Sequence, residues 1–215
     1  GLLVGDGSLR ERHQVSPTTG DAYIAREFAR LIQSHFGYRV QRQRYARHWE
    51  LRISSLQIRV FLEELGLGYV TAVDKTVPPV VMTAPRACVA AFLQGLFDTD
   101  GTADRKGNVA LSTSSPTVAH QVQMLLLNFG IVASRQLKRG VRSRRPSYLV
   151  TAYGAEALAF YAAIGFRLPR KQAGRRRVSR VRRPNVGGIP HLNGALKSVQ
   201  ARIVATADKP VALKR

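Results

Sequence analysis

The sequence predicts an α+β protein made of two copies of one unit, each ordered αββαββα. Two observations carry this. Landmarks of residues 1–75 recur in the same order in residues 95–171. Within each copy, apolar residues switch between helical three-to-four spacing and short alternating runs flanked by glycine. The expected architecture packs the two opening helices against each other and forms curved antiparallel sheets into a saddle. The copies are residues 1–75, truncated at the start, and 76–171, which includes a linker; residues 172–215 form a basic extension.

The repeat is read by laying "GLLVGDG" (1–7) over "GLFDTDG" (95–101), so that Asp6 meets Asp100. "SHFGYRV" (34–40) then falls on "LNFGIVA" (127–133), and "FLEELGL" (61–67) on "FYAAIGF" (160–166). Lys75 and Lys171 close the copies. The opening helix of the second copy is expected to start near Thr83 as its cap, with Pro85 in the first turn. Short strands follow, near Leu9–Val15 and Asn108–Thr113.

The next helices are marked by Ala22, Ala25, Phe28, Ala29 and Ile32, and by Val118, Val122, Leu125, Leu126 and Phe129. Gly37 and Gly130 are placed to end them in left-handed conformation. The second strand pairs are 38–45 with 49–54, and 132–139 with 147–153. Helices Leu56–Leu65 and Ala155–Ile164 complete the units, and a further helix is expected near Ala195–Ala205. Gly1 is not a start methionine and lies in helix-like sequence, as in a fragment lacking an upstream turn.

Charge narrows the function. Thirty-four Lys and Arg against 13 Asp and Glu give +21 at pH 7, a field suited to a polyanion, foremost DNA or RNA. No run reaches the ~18 apolar residues of a membrane helix, so no membrane is expected. The lone Cys88 excludes internal disulfides and fits a reducing, cytoplasmic setting. Five histidines and one cysteine show no zinc spacing.

The repeated aspartate carries the chemistry. Gly1 and Gly5, like Gly95 and Thr99, lie four apart on one helix face, and small residues there let two backbones approach. Asp6 and Asp100 then meet at two helix C-termini, where carbonyls already concentrate negative charge. That arrangement calls for a cation. Mg²⁺ (or Mn²⁺) takes such oxygen ligands and, with phosphate oxygens, supports phosphodiester hydrolysis.

Residues 93–101, "LQGLFDTDG", resemble the LAGLIDADG motif of homing endonucleases, and "GLLVGDG" resembles a truncated first copy. The resemblance covers residues 1–171. It implies a pseudo-symmetric monomer that cuts both strands of a long, pseudo-palindromic double-stranded DNA site. It implies metal binding by Asp6 and Asp100, helped by the main-chain carbonyls of Gly5 and Thr99, with Lys75 and Lys171 assisting at the scissile phosphates. Val4 stands where that family often has an acid, matched here by Asp98, and the position is not a metal ligand in the family.

"FLQGLFDTDG", "LSTSSPTVAHQVQMLLLNFGI", "FYAAIGFRLPRK" and "NVGGIPHL" look most like endonuclease domains nested in inteins, which implies a flanking splicing domain in a parent chain. A module of the same fold that holds DNA or RNA without cutting is the alternative.

The DNA-facing candidates follow from the strands. Arg10 and Arg12 belong to the first pair. Arg39, Gln41 and Gln43 share one face, and His48, Glu50 and Arg52 share the face opposite Trp49, Leu51 and Ile53. In the second copy Arg135, Lys138, Arg139, Arg142, Arg144 and Arg145 cluster at a hairpin. Arg and Gln suit guanine and adenine edges, and most of the remaining charge would touch phosphate. The run Arg175–Arg183 reads as a phosphate-gripping or flexible arm rather than a base reader.

Overall fold

The computed structural model describes residues 1–7, 14–68, 70–138 and 146–178. The chain divides into units Gly1–Val181 and Arg182–Arg215, and the second lies outside the described residues. So do Arg10, Arg12, Arg139, Arg142, Arg144, Arg145, the 195–205 helix and the end of the basic arm.

The first repeat contains α1 (Leu2–Asp6), β1 (Thr18–Thr19), α2 (Ala22–Phe36), β2 (Gln41–Arg44), β3 (Trp49–Arg52) and α3 (Leu56–Glu64). A short α4 (Pro79–Met82) lies in the linker. The second repeat is α5 (Arg86–Asp100), β4 (Gly101–Ala103), β5 (Val109–Thr113), α6 (Pro116–Leu127), β6 (Ser134–Lys138), β7 (Ser147–Ala152) and α7 (Ala155–Ala163). It has the full αββαββα order. Then come α8 (Pro169–Gln172) and a 3₁₀ turn, Ala173–Arg177.

Both sheets are antiparallel, ordered β1-β3-β2 and β4-β5-β7-β6. Of the strand expected at Leu9–Val15, residues 9–13 lie outside the described region, and Val15 bridges Ile53. The same relation recurs as Val109 opposite Ala152. Period-two burial orients each sheet: Leu51 and Ile53, and Leu111 and Val150, face their cores. Val15, Phe28, Ile32, Leu51 and Ile53 centre the smaller core. Leu93, Leu96, Phe97, Leu125 and Phe160 centre the larger one, which Val4 of the first repeat and Val77 of the linker also join.

Matching hydrogen bonds fix the repeat. Thr19 Oγ1 accepts the Asp21 N–H at 3.2 Å, and Thr113 Oγ1 accepts the Ser115 N–H at 3.2 Å. Asp21 caps α2 and Ser115 caps α6. Asp6 and Asp100, Thr19 and Thr113, and Asp21 and Ser115 are each 94 residues apart. Gly37 follows α2 at φ 64°, the left-handed conformation that glycine permits. Gly130, at φ 74°, stands two residues past the α6 cap position, Asn128.

The start of α5 differs from the sequence expectation. Thr83 ends α4, and Pro85 holds the cap position of α5 with no side-chain hydrogen bond. Pro85 has ψ 147°, so the chain is extended there and the helix begins at Arg86. The basic run is also not a free segment throughout. Lys171 and Gly174 are buried, and Val178 packs on the larger core.

Helices α1 and α5 pack through their small residues. A Cβ on Gly95 would come within 3.1 Å of the Leu2 nitrogen, and one on Gly5 within 2.8 Å of Thr99 Cβ. Gly95→Val is therefore expected to lower stability by about 1–3 kcal/mol, a fall of roughly 3–10 °C in thermal melting by circular dichroism. Gly68→Ala, at a position open for 4 Å around the added carbon, should leave the melting temperature in place.

Candidate metal and nucleic-acid site

The glycine contact brings two helix ends together. Asp6 is the last residue of α1 and Asp100 the last of α5. A Cβ on Gly5 would lie 3.4 Å from Asp100 Oδ2, so this carboxylate rests against the turn that carries Asp6. Both aspartates are half-buried.

Each helix end is met by a lysine. Lys75 Nζ donates to the carbonyls of Val4 and Gly5, both at 2.7 Å. Lys171 Nζ donates to those of Phe97 at 2.9 Å and Asp98 at 2.6 Å. Carbonyls of a last helical turn have no intrahelical partner and carry the negative pole of the helix, so an ammonium there is favourable. The two contacts are offset by one residue: Lys75 takes the carbonyl just before its aspartate, and Lys171 stops one earlier.

Electrostatics binds the four groups into one set. Burial pushes Asp100 up to about 6, and the Asp6 charge adds to this against the pull of Lys75 and Lys171. Burial also raises Asp6, opposed by the same lysines. Burial lowers Lys171 to about 8, with Arg170 adding to the effect and Asp98, Asp100 and Asp6 opposing it. Lys75 is lowered by burial against Asp100 and Asp6.

Asp98 does something different from its neighbour. It is buried, and its oxygens accept the N–H groups of Arg167 at 3.2 Å and Leu168 at 3.3 Å. It thus holds the turn that starts α8 and carries Lys171.

Two desolvated carboxylates of raised pKa, side by side, fit a divalent cation, because such a charge would lower the pKa of both. Among the described residues no group of three or more His, Cys, Asp or Glu gathers. An ion held by Asp6 and Asp100 would therefore complete its shell with carbonyl, water and phosphate oxygens, as Mg²⁺ commonly does.

The strand registers sort the nucleic-acid candidates. Gln41 opposes Arg52 and Gln43 opposes Glu50, on the face away from Leu51. Arg39, Gln41 and Gln43 are exposed, and Arg52 Nε pairs with Glu50 at 3.0 Å. His48 sits at the hairpin end, its ring stacked on Tyr45 at 4.9 Å.

In the second repeat Arg135 opposes Val150 and takes the core-side phase, exposed only because β6 is an edge strand. Ser134, Gln136 and Lys138 occupy the outward phase with Leu149, and Thr151 on the same phase is buried. Sequence reading missed Gln136. Counting from Gly37 and Gly130 to the buried Val40 and Ala133 aligns Gln136 with Gln43 and reveals it.

Comparisons with known proteins bear on the fold. Residues 87–165 match the family described as the LAGLIDADG-like domain. Two curated relatives share the segment. The replication factor C small subunit of Methanocaldococcus jannaschii is 29% identical over 80% of this chain and 9% of its own length. The replicative DNA helicase DnaB of Rhodothermus marinus is 30% identical over 77% of this chain and 19% of its own length. The chain thus spans less than a fifth of each.

Among solved structures, the homing endonuclease I-DmoI in complex with DNA and Ca superposes with TM-score 0.61 at 18% identity, covering 80% of this chain and 91% of that one. Full-length DUF199/WhiA gives 0.54 at 14%, covering 96% and 65%. The chain has the LAGLIDADG homing-endonuclease fold. No helix among the described residues is long and apolar enough to cross a membrane.

The carboxylate pair makes a stability prediction. Burial and the Asp6 charge push Asp100 up to about 6 in the folded chain, above the ordinary aspartate value of 3.8. The folded state therefore holds that proton more tightly, and its advantage is present below pH 3.8 and lost as pH rises through about 6. Metal-free Asp100→Asn at pH 7.5 should melt about 2–6 °C above the wild type, with the gap closing toward pH 4. Millimolar Mg²⁺ should raise the wild-type melting temperature and leave that of Asp100→Asn nearly unchanged, both read by differential scanning fluorimetry.

Proposed function

We propose that this chain is a divalent-metal-dependent DNA endonuclease that cuts both strands of a long, pseudo-palindromic site as a monomer. The observation that carries the reading is the pairing of Asp6 and Asp100 at adjoining helix ends, each end bound by its own lysine. Neighbours of the same fold were solved with DNA and with Mn or Ca. The +21 charge of the chain suits the same partner.

Asp6 and Asp100 would hold Mg²⁺ or Mn²⁺, with the Thr99 and Gly5 carbonyls as further oxygen donors. The ion supplies an activated water and charge stabilisation at phosphate. The chain's own residues do the rest. Lys75 and Lys171 keep the helix ends from repelling an anionic phosphate and present positive charge beside it. The outward faces of β2–β3 and β6–β7 lie along the groove, with Arg39, Gln41, Gln43 and Arg52 in one half and Ser134, Gln136 and Lys138 in the other. Glu50 pairs with Arg52 and orients its guanidinium. Arg10, Arg12, Arg139, Arg142, Arg144 and Arg145 add phosphate contacts.

We further propose that the chain is an intein's endonuclease domain, resident in an intracellular host protein. Its support is that one segment recurs as a small share of two differently named replication proteins. The natural target is then the host gene with the insertion removed.

Incubating the protein and Mg²⁺ with that joined sequence should give a double-strand break. Asp6→Asn and Asp100→Asn should each lower the rate by at least about 100-fold. The acid limb of the pH–rate profile should lie at or below about pH 6 and move lower as Mg²⁺ is raised, because proton and metal compete for Asp100. Tight binding of the site without Mg²⁺-dependent scission would contradict the proposal.

A further inference from the structure

The segments that carry the two lysines are fastened to the opposite repeat. Beside Lys75, the Ser115 hydroxyl donates to the Lys75 carbonyl at 2.6 Å, and the Val77 N–H donates to Gln121 Oε1 at 2.8 Å. Both partners belong to the start and first turns of α6, in the second repeat. Beside Lys171, Arg170 reaches Asp21 Oδ2 at 3.1 Å, and Arg167 reaches Glu27 Oε1 at 2.7 Å. Both of these partners belong to the start and first turns of α2, in the first repeat.

The fastening points are the same positions. Asp21 and Ser115 are the caps of α2 and α6, and Glu27 and Gln121 stand six residues further along each helix. All fall on the 94-residue offset that relates Asp6 to Asp100. Chemistry differs while placement is kept: one strap binds main chain through neutral groups, and the other pairs arginines with carboxylates. Equivalent positions used for equivalent contacts, across 44 residues for Val77–Gln121 and 140 for Arg167–Glu27, are not explained by local helix stability.

We infer that α2 and α6 each seat the lysine of the opposite repeat: Gln121 and Ser115 position Lys75, and Glu27 and Asp21 position Lys171. These are positioning residues. They act through the lysine-bearing segments, by fixing where each ammonium ends. The seating stands on the contacts alone, while its catalytic meaning rests on the endonuclease reading. In that reading, each cutting site requires the other repeat to be docked before its lysine is in place.

Two readouts test this separately. The first is competitive acetylation of the metal-free full chain, with Lys75 and Lys171 followed by mass spectrometry. Gln121→Leu should speed modification of Lys75 by about 3–10-fold, the weight of one hydrogen bond, and leave Lys171 unchanged. Glu27→Ala should speed Lys171 and leave Lys75 unchanged. Gln121→Glu and Glu27→Gln keep the accepting oxygen and should protect both lysines as the wild type does. The untouched lysine controls for folding in every variant. A rise at both lysines, at the wrong one or at neither would overturn the seating.

The second readout is the ratio of top-strand to bottom-strand nicks in Mg²⁺. Gln121→Leu and Glu27→Ala should shift it in opposite directions through kcat, with KM little changed. Wild-type cleavage with a ratio that neither variant moves would overturn the positioning role. The crossed acetylation pattern with no wild-type cleavage would instead uphold the seating and overturn the endonuclease reading.

Discussion

Two helix C-termini held in contact are the constraint on which the rest of this structure depends. Packing α1 on α5 through Gly1, Gly5, Gly95 and Thr99 brings two negative helix poles and two carboxylates into one half-buried place. Left alone, that concentration of negative charge would separate the helices. The fold answers with Lys75 and Lys171, one on each set of terminal carbonyls. The lysines donate to the carbonyls and only partly offset the cost to the carboxylates: burial first, and then the Asp6 charge, hold Asp100 up to about 6 against the pull of both cations. The site stores a destabilising pair of charges in the form a divalent ion would relieve.

Much of this was legible in the sequence because the chain states it twice. The landmarks around Asp6 and Asp100 gave the repeat, the repeat gave the helix pair, and the pair placed the carboxylates. Lys75 and Lys171 were found by their matched positions. Their engagement with carbonyls was not, since a lysine in a basic chain reads as solvated until burial is known. The folded chain buries Lys171 nearly fully.

Other features needed the third dimension. Thr83 has the chemistry of a cap, but the extended Pro85 makes it end α4 instead. Arg135 reads as a groove contact by charge, yet pairing with Val150 gives the outward phase to Ser134, Gln136 and Lys138. A one-residue change of phase swaps a strand's whole face, and only cross-strand partners settle it. Asp98 resembles a second site carboxylate in one dimension and caps the Arg167–Leu168 turn in three. The straps from Gln121 and Glu27 join residues far apart in sequence and leave no local pattern beyond their equal spacing.

The two halves share a plan and differ in material. The outward face of β2–β3 carries Arg39, Gln41, Gln43, Glu50 and Arg52, whereas that of β6–β7 carries Ser134, Gln136, Lys138 and Leu149. A paired carboxylate centre under unlike faces would suit, on the proposed reading, a ligand whose backbone repeats and whose sequence does not. The proposed function turns on a divalent ion held between Asp6 and Asp100. Iron-directed cleavage of the polypeptide tests it most directly: Fe²⁺ loaded in place of Mg²⁺, with ascorbate and peroxide, cuts backbone beside the bound ion. Scission is expected near residues 5–7 and 99–101, suppressed by excess Mg²⁺ and absent in Asp100→Asn. Scission elsewhere, or a pattern indifferent to Mg²⁺ and to the substitution, would contradict it.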